Sequence, residues 1–219
     1  MNINERFDRL DTFIAEDRLI RKAWGDGQER ACLLLALAPE VGPRGDVYRC
    51  PASVLPAWLA HITPWLDDAG SPAAWPAMVR RYAVVVRRGA ETLDDDGWRR
   101  VLARTMIAVV AEAAPHDPSE SCARVSALWE RVLAGDEPTK DAWAAASWDA
   151  ESASAASASE AAWAASEAAW AAASEAAARA AWLLGARAGA GAQQAAWDRI
   201  TIALFDGIEI ECDRAEATK

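Results

Sequence analysis

Between Cys50 and Tyr82 the chain sets Trp58, His61, Trp65, Asp67, Asp68, Trp75, Arg80 and Arg81 close together in sequence. Aromatic rings beside paired guanidinium groups are the makings of a pocket that stacks a planar ligand and holds its phosphate or carboxylate. The candidate ligand-binding set is Trp58, His61, Trp65, Asp68, Trp75, Arg80 and Arg81. Acid–base chemistry would use His61 with Asp67 or Asp68, because a carboxylate can orient an imidazole. The same residues also suit a tight helical corner, packed by Trp and Pro, in which Asp68 and Ser71 cap helices. No residue is assigned a catalytic role.

The remaining reactive side chains are sparser. His116, Asp117 and Cys122 are metal-ligand types, but no second cysteine completes a set, and a loop histidine ahead of a helix cap accounts for them. No metal site and no cofactor is expected. Arg80, Arg81, Arg87, Arg88, Arg99, Arg100 and Arg104 form the one basic concentration, interleaved with Glu91 and Asp94 to Asp96. They read as a solvated face laced with ion pairs, or else as a site for a small anionic ligand. Asp206, Glu209, Glu211 and Asp213 read as a solvated acidic helix face, or as negative charge offered to a basic protein. Glycine-rich phosphate loops, G-x-S-x-G, H-E-x-x-H and EF-hand patterns are absent. An enzyme is not expected.

Charge narrows the partner. The 219 residues carry 33 acidic and 23 basic side chains, a formal net charge of -10. A dedicated nucleic-acid binder has a basic surplus, so no direct nucleic-acid binding is expected. Cys32, Cys50, Cys122 and Cys212 lie far apart, which suggests neither a disulfide framework nor a zinc ribbon. The first residues, MNINERFDRLD, are too charged for a secretory signal, and no apolar tract fits a membrane span. The expectation is a cytoplasmic protein with no membrane contact.

The elements that must position these residues are helical. Ile3, Phe7, Leu10 and Phe13/Ile14 recur at helical spacing. A compact helix is expected from Arg30 to Ala38, a Gly/Pro loop to Cys50, and a helix from Pro51 through Ile62. Thr63-Pro64 and Ser71-Pro72 each resemble an N-cap followed by proline, the latter opening a helix to about Arg87. Asp94 to Asp96 start a helix to about Ala113, and Asp117-Pro118 one that stops at Gly135. Ala83 to Val86 is the one brief strand candidate. The fold class is all-α.

Residues 1–138 form a helical globular region, and residues 139–219 an Ala/Trp-rich long helix plus a C-terminal helix packed with the first region as one unit. From Asp141 to Ala196, 29 of 56 residues are alanine. One helix is expected from Lys140 to about Leu184, weakest at Ser152 to Ser159, and a last one from Ala192 to about Cys212. On a helical wheel Trp163, Trp170 and Trp148 share one side, with Trp170 about 20° and Trp148 about 60° from Trp163. Glu160 and Glu167 flank them. Trp148, Glu160, Trp163, Glu167 and Trp170 are therefore the candidate interaction face, beside an alanine face that can pack on other helices or on a second copy. With twelve tryptophans in the chain, most are expected to be buried anchors.

The stretch CPASVLPAWLAHITPWLDDAGSPAAWPAMVRRYA, followed by an alanine/tryptophan-rich helix, resembles accessory proteins of tailed bacteriophages and prophages. Ala113-Ala-Pro-His-Asp-Pro118 through Trp129, Gly135 and the Asp141-Ala-Trp-Ala-Ala-Ala run is similar to the alanine-rich helical domains of immunity proteins. Those domains carry histidines within their alanine helices, where this chain has Trp and Ser. The resemblance implies a small phage accessory protein of an infected or lysogenic bacterium. It would act by binding a host protein, as an inhibitor of a host defence factor. A nucleotide-sequestering sponge and a structural homo-oligomer are the alternatives.

Overall fold

The computed structural model describes residues 1–157, 164–165, 168, 180, 186 and 188–218. Among these the fold is all-α, with isolated bridges at Ala31 and no strand. Helix α1 spans Ile3–Ala15 and opens on a reciprocal cap, Asn2 Oδ1 accepting from Glu5 N (3.0 Å) and Glu5 Oε2 from Asn2 N (2.8 Å). Its apolar stripe buries Phe7, Leu10 and Phe13. Helix α2, Leu33–Leu37, is shorter than expected and buried on every side. Carbonyls at a buried helix end need donors, and Arg9 supplies them to Leu35 O (2.9 Å) and Ala36 O.

Helix α3 spans Ala57–Ala69, and two expected boundaries move. Residues 51–55 form a turn, so the helix begins after Pro56. Thr63-Pro64 does not start a new helix, because Pro64 lies inside α3. Thr63 Oγ1 donates back to the Leu59 carbonyl (2.7 Å) and meets the Tyr82 hydroxyl at 3.0 Å, so it is an interior residue rather than a cap. Ser71 Oγ accepts from Ala74 N (3.1 Å) in the turn before α4, Trp75–Thr92. That helix absorbs the Ala83 to Val86 strand candidate and runs past Arg87.

Asp94 caps α5, Asp95–Ala113, accepting from Gly97 N at 2.8 Å. Helix α6, Ser121–Ala134, closes on Gly135, whose φ of 81° is the left-handed conformation that glycine adopts without strain. Asp117 stands outside that helix and accepts from Cys122 N (2.6 Å). Helix α7 spans Lys140–Ser157, unbroken from Ser152 to Ser157. Its expected continuation to Leu184 lies outside the described residues. Helix α8, Ala190–Ala217, is longer than expected at both ends.

Helix α8 packs on α5, α4 and α3, and the polar pairs set the directions. Arg81 and Arg88 of α4 bond Asp206 and Asp213 of α8 in ascending order, so α4 and α8 run parallel. Arg104 reaches Glu211 while Glu112 reaches Arg199, so α5 runs antiparallel to α8. The three helices meet closely at Gly89, where a Cβ would lie 2.8 Å from the Trp98 ring and 3.0 Å from Ile208. Trp129 and Trp197 are buried, and Trp24, Trp58, Trp75, Trp98 and Trp143 are half-buried. Trp65 and Trp148 are exposed, so of the nine described tryptophans two are fully buried, fewer than the expected majority. No helix among the described residues is long and apolar enough to cross a membrane.

Candidate functional site

The Trp/His/Arg constellation does not converge on one pocket, because most of its polar groups are used inside the fold. Trp58, His61, Trp65 and Asp68 form a stripe along α3, but each has its own neighbour. Trp58 meets Trp98 edge-on with ring centroids 6.4 Å apart. His61 packs at 4.5 Å against Tyr48, and Trp65 stacks on Trp197 at 6.0 Å. Asp68 Oδ1 accepts from Lys22 N. Trp75 donates its indole N–H to Asp67 (2.7 Å), and Arg81 is committed to α8. Arg80 is exposed, with no ion-pair partner among the described residues. Of the helical-corner reading, the Trp packing is present, but Asp68 caps no helix and Ser71 holds the turn before α4 rather than capping it.

Asp67 is the hub of that corner. It is buried, and it also accepts from Leu33 N at 3.0 Å, tying α3 to α2 and, through Trp75, to α4. Arg21 secures the same end of α3 by donating to the carbonyls of Asp67, Asp68 and Gly70. His61 and Asp67 are not paired in this structure: His61 packs on Tyr48, and the Asp67 oxygens accept from Leu33 N and the Trp75 indole. Burial pushes the Asp67 carboxyl up to about 6, against the opposing pull of the Leu33 and Trp75 donors. A folded-state value above the unfolded one means the folded chain takes up this proton first. Acidification from pH 7 to 5 therefore stabilises the fold through Asp67, by about 1 kcal/mol. The Trp75 indole proton resonance should titrate with a midpoint near that value. A resonance flat between pH 7 and 5 would contradict this account.

The arginine run makes ion pairs, though not with the acidic residues interleaved in its own sequence. Arg81 bonds Asp206 (2.5 Å) and Glu209 (2.9 Å), and Arg88 bonds Asp213 (2.6 Å) and Glu216 (2.8 Å). The seven-residue step from Arg81 to Arg88 thus matches the steps from Asp206 to Asp213 and Glu209 to Glu216, as two parallel helices in constant register require. Arg87 turns the other way, to Asp8 (3.1 Å) and Asp11 (2.8 Å) of α1. Arg99 pairs with Glu137. Glu211, expected on a solvated face, is instead 2% exposed, held by Arg100 Nε (2.7 Å) and Arg104 Nε (2.9 Å).

These seams leave an outward face shared by α4 and α8. Val84 is 69% exposed on α4, and Ile202 and Ile210 are 51% and 46% exposed on α8. Val84 lies midway between Arg81 and Arg88, and Ile210 lies between Glu209 and Asp213, so the two stand at the same height along the parallel pair. Arg81 and Arg88 face Asp206, Glu209, Asp213 and Glu216, so carboxylates outnumber guanidinium groups four to two along this seam. Isolated exposed aliphatics are ordinary, whereas three on one two-helix face with a one-signed charge excess have the make-up of an interaction surface.

Of the interaction face expected in the second region, Trp148 is 70% exposed on α7. Glu160, Trp163, Glu167 and Trp170 lie outside the described residues. Val84 and Ile202 were not distinguishable as site residues from pattern alone, since each sits among apolar residues, whereas Ile210 stands between Glu209 and Glu211. The matched heptad spacings of arginines and carboxylates were the available signal. Among the described residues no three His, Cys, Asp or Glu side chains converge as a metal site, and Asp117 is occupied by the backbone N–H groups of Ser119 and Cys122. Comparison of the chain with protein-family models, characterised proteins and solved structures finds no match.

Proposed function

We propose that this protein acts by binding and performs no chemistry of its own. It lays the α4–α8 face against a basic surface of a host protein and blocks that surface, in the manner of a phage accessory protein directed at host defence. The observation that carries this reading is the face itself, where Val84, Ile202 and Ile210 are exposed among carboxylates held in place by Arg81 and Arg88. Side chains pre-organised by such pairs lose little freedom on docking, and their one-signed surplus steers a cationic partner while repelling a second copy. A groove that normally holds nucleic acid has the matching charge.

The test is retention of proteins from a susceptible bacterium on immobilised wild type and on a Val84→Arg/Ile210→Arg double variant. Both positions are solvent-facing, so the fold is expected to persist. Wild type should retain a basic protein at low salt and release it as salt rises. The double variant should bind that protein at least about tenfold more weakly, as expected when apolar contacts at an interface centre are replaced by charges of the partner's own sign. Equal retention by the two proteins, or none by wild type, would refute the assignment.

A further inference from the structure

The α4–α8 face repeats along its length. Arg81 and Arg88 of α4 each bond carboxylates 125 and 128 residues further on, Asp206 with Glu209 and Asp213 with Glu216. The offset of 125 also sets Ala77 level with Ile202, one helical turn before the first ionic level. Val84 lies between the two ionic levels, beside Glu209. Ala77, Val84 and Ile202 are all exposed. The valley between the two helices therefore alternates apolar, ionic, apolar, ionic, and each kind recurs after seven residues. Seven residues of helix advance about 10.5 Å.

Each wall is a narrow stripe. Ala77, Arg81, Val84 and Arg88 fall within an arc of about 60° on α4, and Ile202, Asp206, Glu209 and Asp213 within the same arc on α8. The charges around the valley keep its sign negative. Arg80 and Glu91, both exposed on α4, offset each other. Arg87 pairs with Asp8 and Asp11, while Arg199 and Arg214 of α8 pair with Glu112 and Glu211. Arg81 takes one oxygen each from Asp206 and Glu209, and Arg88 one from Asp213. Each ionic level thus keeps carboxylate oxygens for a donor from outside.

We infer that the element of the partner that docks here is an amphipathic α-helix, its contact stripe alternating apolar and basic residues every three to four positions. This rests on the reading of α4–α8 as the docking face and names what that face recognises. A third helix brings its own stripe back after seven residues, so it stays in step with both walls over both levels. A β-strand presents one side about every 6.6–6.8 Å and falls out of step. Nucleic acid carries the same sign as the carboxylates, and a second copy of this face would bring the same negative surplus. The partner's apolar residues seat at Ala77 with Ile202 and beside Val84. Its basic residues meet Asp206 with Glu209, and Asp213 with Glu216.

Two synthetic helices of three heptads, each stapled on its outer face, test the inference by fluorescence anisotropy with the full chain. The first has leucine at every seventh position and arginine four positions after each leucine. Its isomer has the same composition, with each arginine moved two positions on, to the far side of the helix. The first should bind at one site per chain and weaken as salt rises, and the isomer should bind at least about tenfold more weakly. Ile202→Arg should weaken the first peptide about tenfold, whereas Tyr48→Arg, the same charge added at an exposed site off the face, should change it less than about twofold. Equal affinity for the two peptides, or equal effects of the two substitutions, would overturn the helix as occupant. Should wild type still retain a basic protein from the bacterium in that case, the docking reading stands. Should it retain none, both fall.

Discussion

Glu211→Ala is expected to lower the free energy of unfolding by about 3 kcal/mol at pH 7, the cost of removing one partner from a buried charge cluster. The residue sits on the inner face of α8 against α5, and its two oxygens are divided between Arg100 and Arg104. Without it, three arginines from two packed helices repel one another across the seam. The arginines reach solvent more readily than Glu211 does, which keeps the cost at the lower end for buried pairs. Burial acts to raise the Glu211 pKa, but the Arg100 and Arg104 hydrogen bonds and charges outweigh it, and the carboxyl is held below its ordinary value. A lowered folded-state pKa places the stabilisation above the ordinary carboxylate range and removes it as pH falls through the folded value. Urea unfolding of wild type and variant should therefore differ most at neutral pH and converge in acid. A difference below about 0.5 kcal/mol at pH 7, the level of an unremarkable surface change, would show that the cluster is not a structural tie.

Trp129→Ala should cost about 3–5 kcal/mol, the range for deleting a buried large aromatic. Trp129 is buried on α6, where its ring meets that of Trp143 of α7 at 4.6 Å and lies under the Arg99 guanidinium at 5.3 Å. Its indole N–H donates to the Ala168 carbonyl at 3.1 Å. One side chain thus joins α5, α6, α7 and the backbone of the alanine-rich segment. Alanine side chains bury little area each, so that segment depends on such anchors. Trp129→Phe keeps most of the ring but not the donor, leaving the Ala168 carbonyl without it. Its expected cost is about 1–2 kcal/mol plus any loss of ring packing. Equal unfolding midpoints for the two variants in urea would show that the bond to Ala168 and the larger ring add nothing.

Local signals carried far in this chain where one residue decides a boundary. Asp94 and Gly135 end or begin helices at the expected places, because a side-chain cap and a left-handed turn need no tertiary context. Thr63-Pro64 looked like a cap because that dipeptide suits a first turn equally well. Only the packing of Thr63 on Tyr82 distinguishes the two cases. The Trp/His/Arg constellation disperses in the fold for a related reason. Residues close in sequence fan out around a helix, so Asp67 points into the core while Trp65 points away from it. The arginine run was legible as a source of ion pairs, but not its partners. Arg88 sits near Glu91 in sequence and yet bonds Asp213 and Glu216 from the far end of the chain. The exposure of Val84 inside Ala83-Val84-Val85-Val86 emerges only once α4 turns its other valines toward the core.

The central claim, that α4–α8 is the docking face for a basic host protein, is tested most directly by site-specific photo-crosslinking inside a susceptible bacterium. A photoreactive residue is placed at Val84, at Ile210, or at exposed Tyr48 as a control away from the face. Val84 and Ile210 should each yield an adduct with the same basic protein, and Tyr48 should yield none with it. Adducts of equal yield from all three positions, or an acidic partner at Val84 and Ile210, would contradict the account.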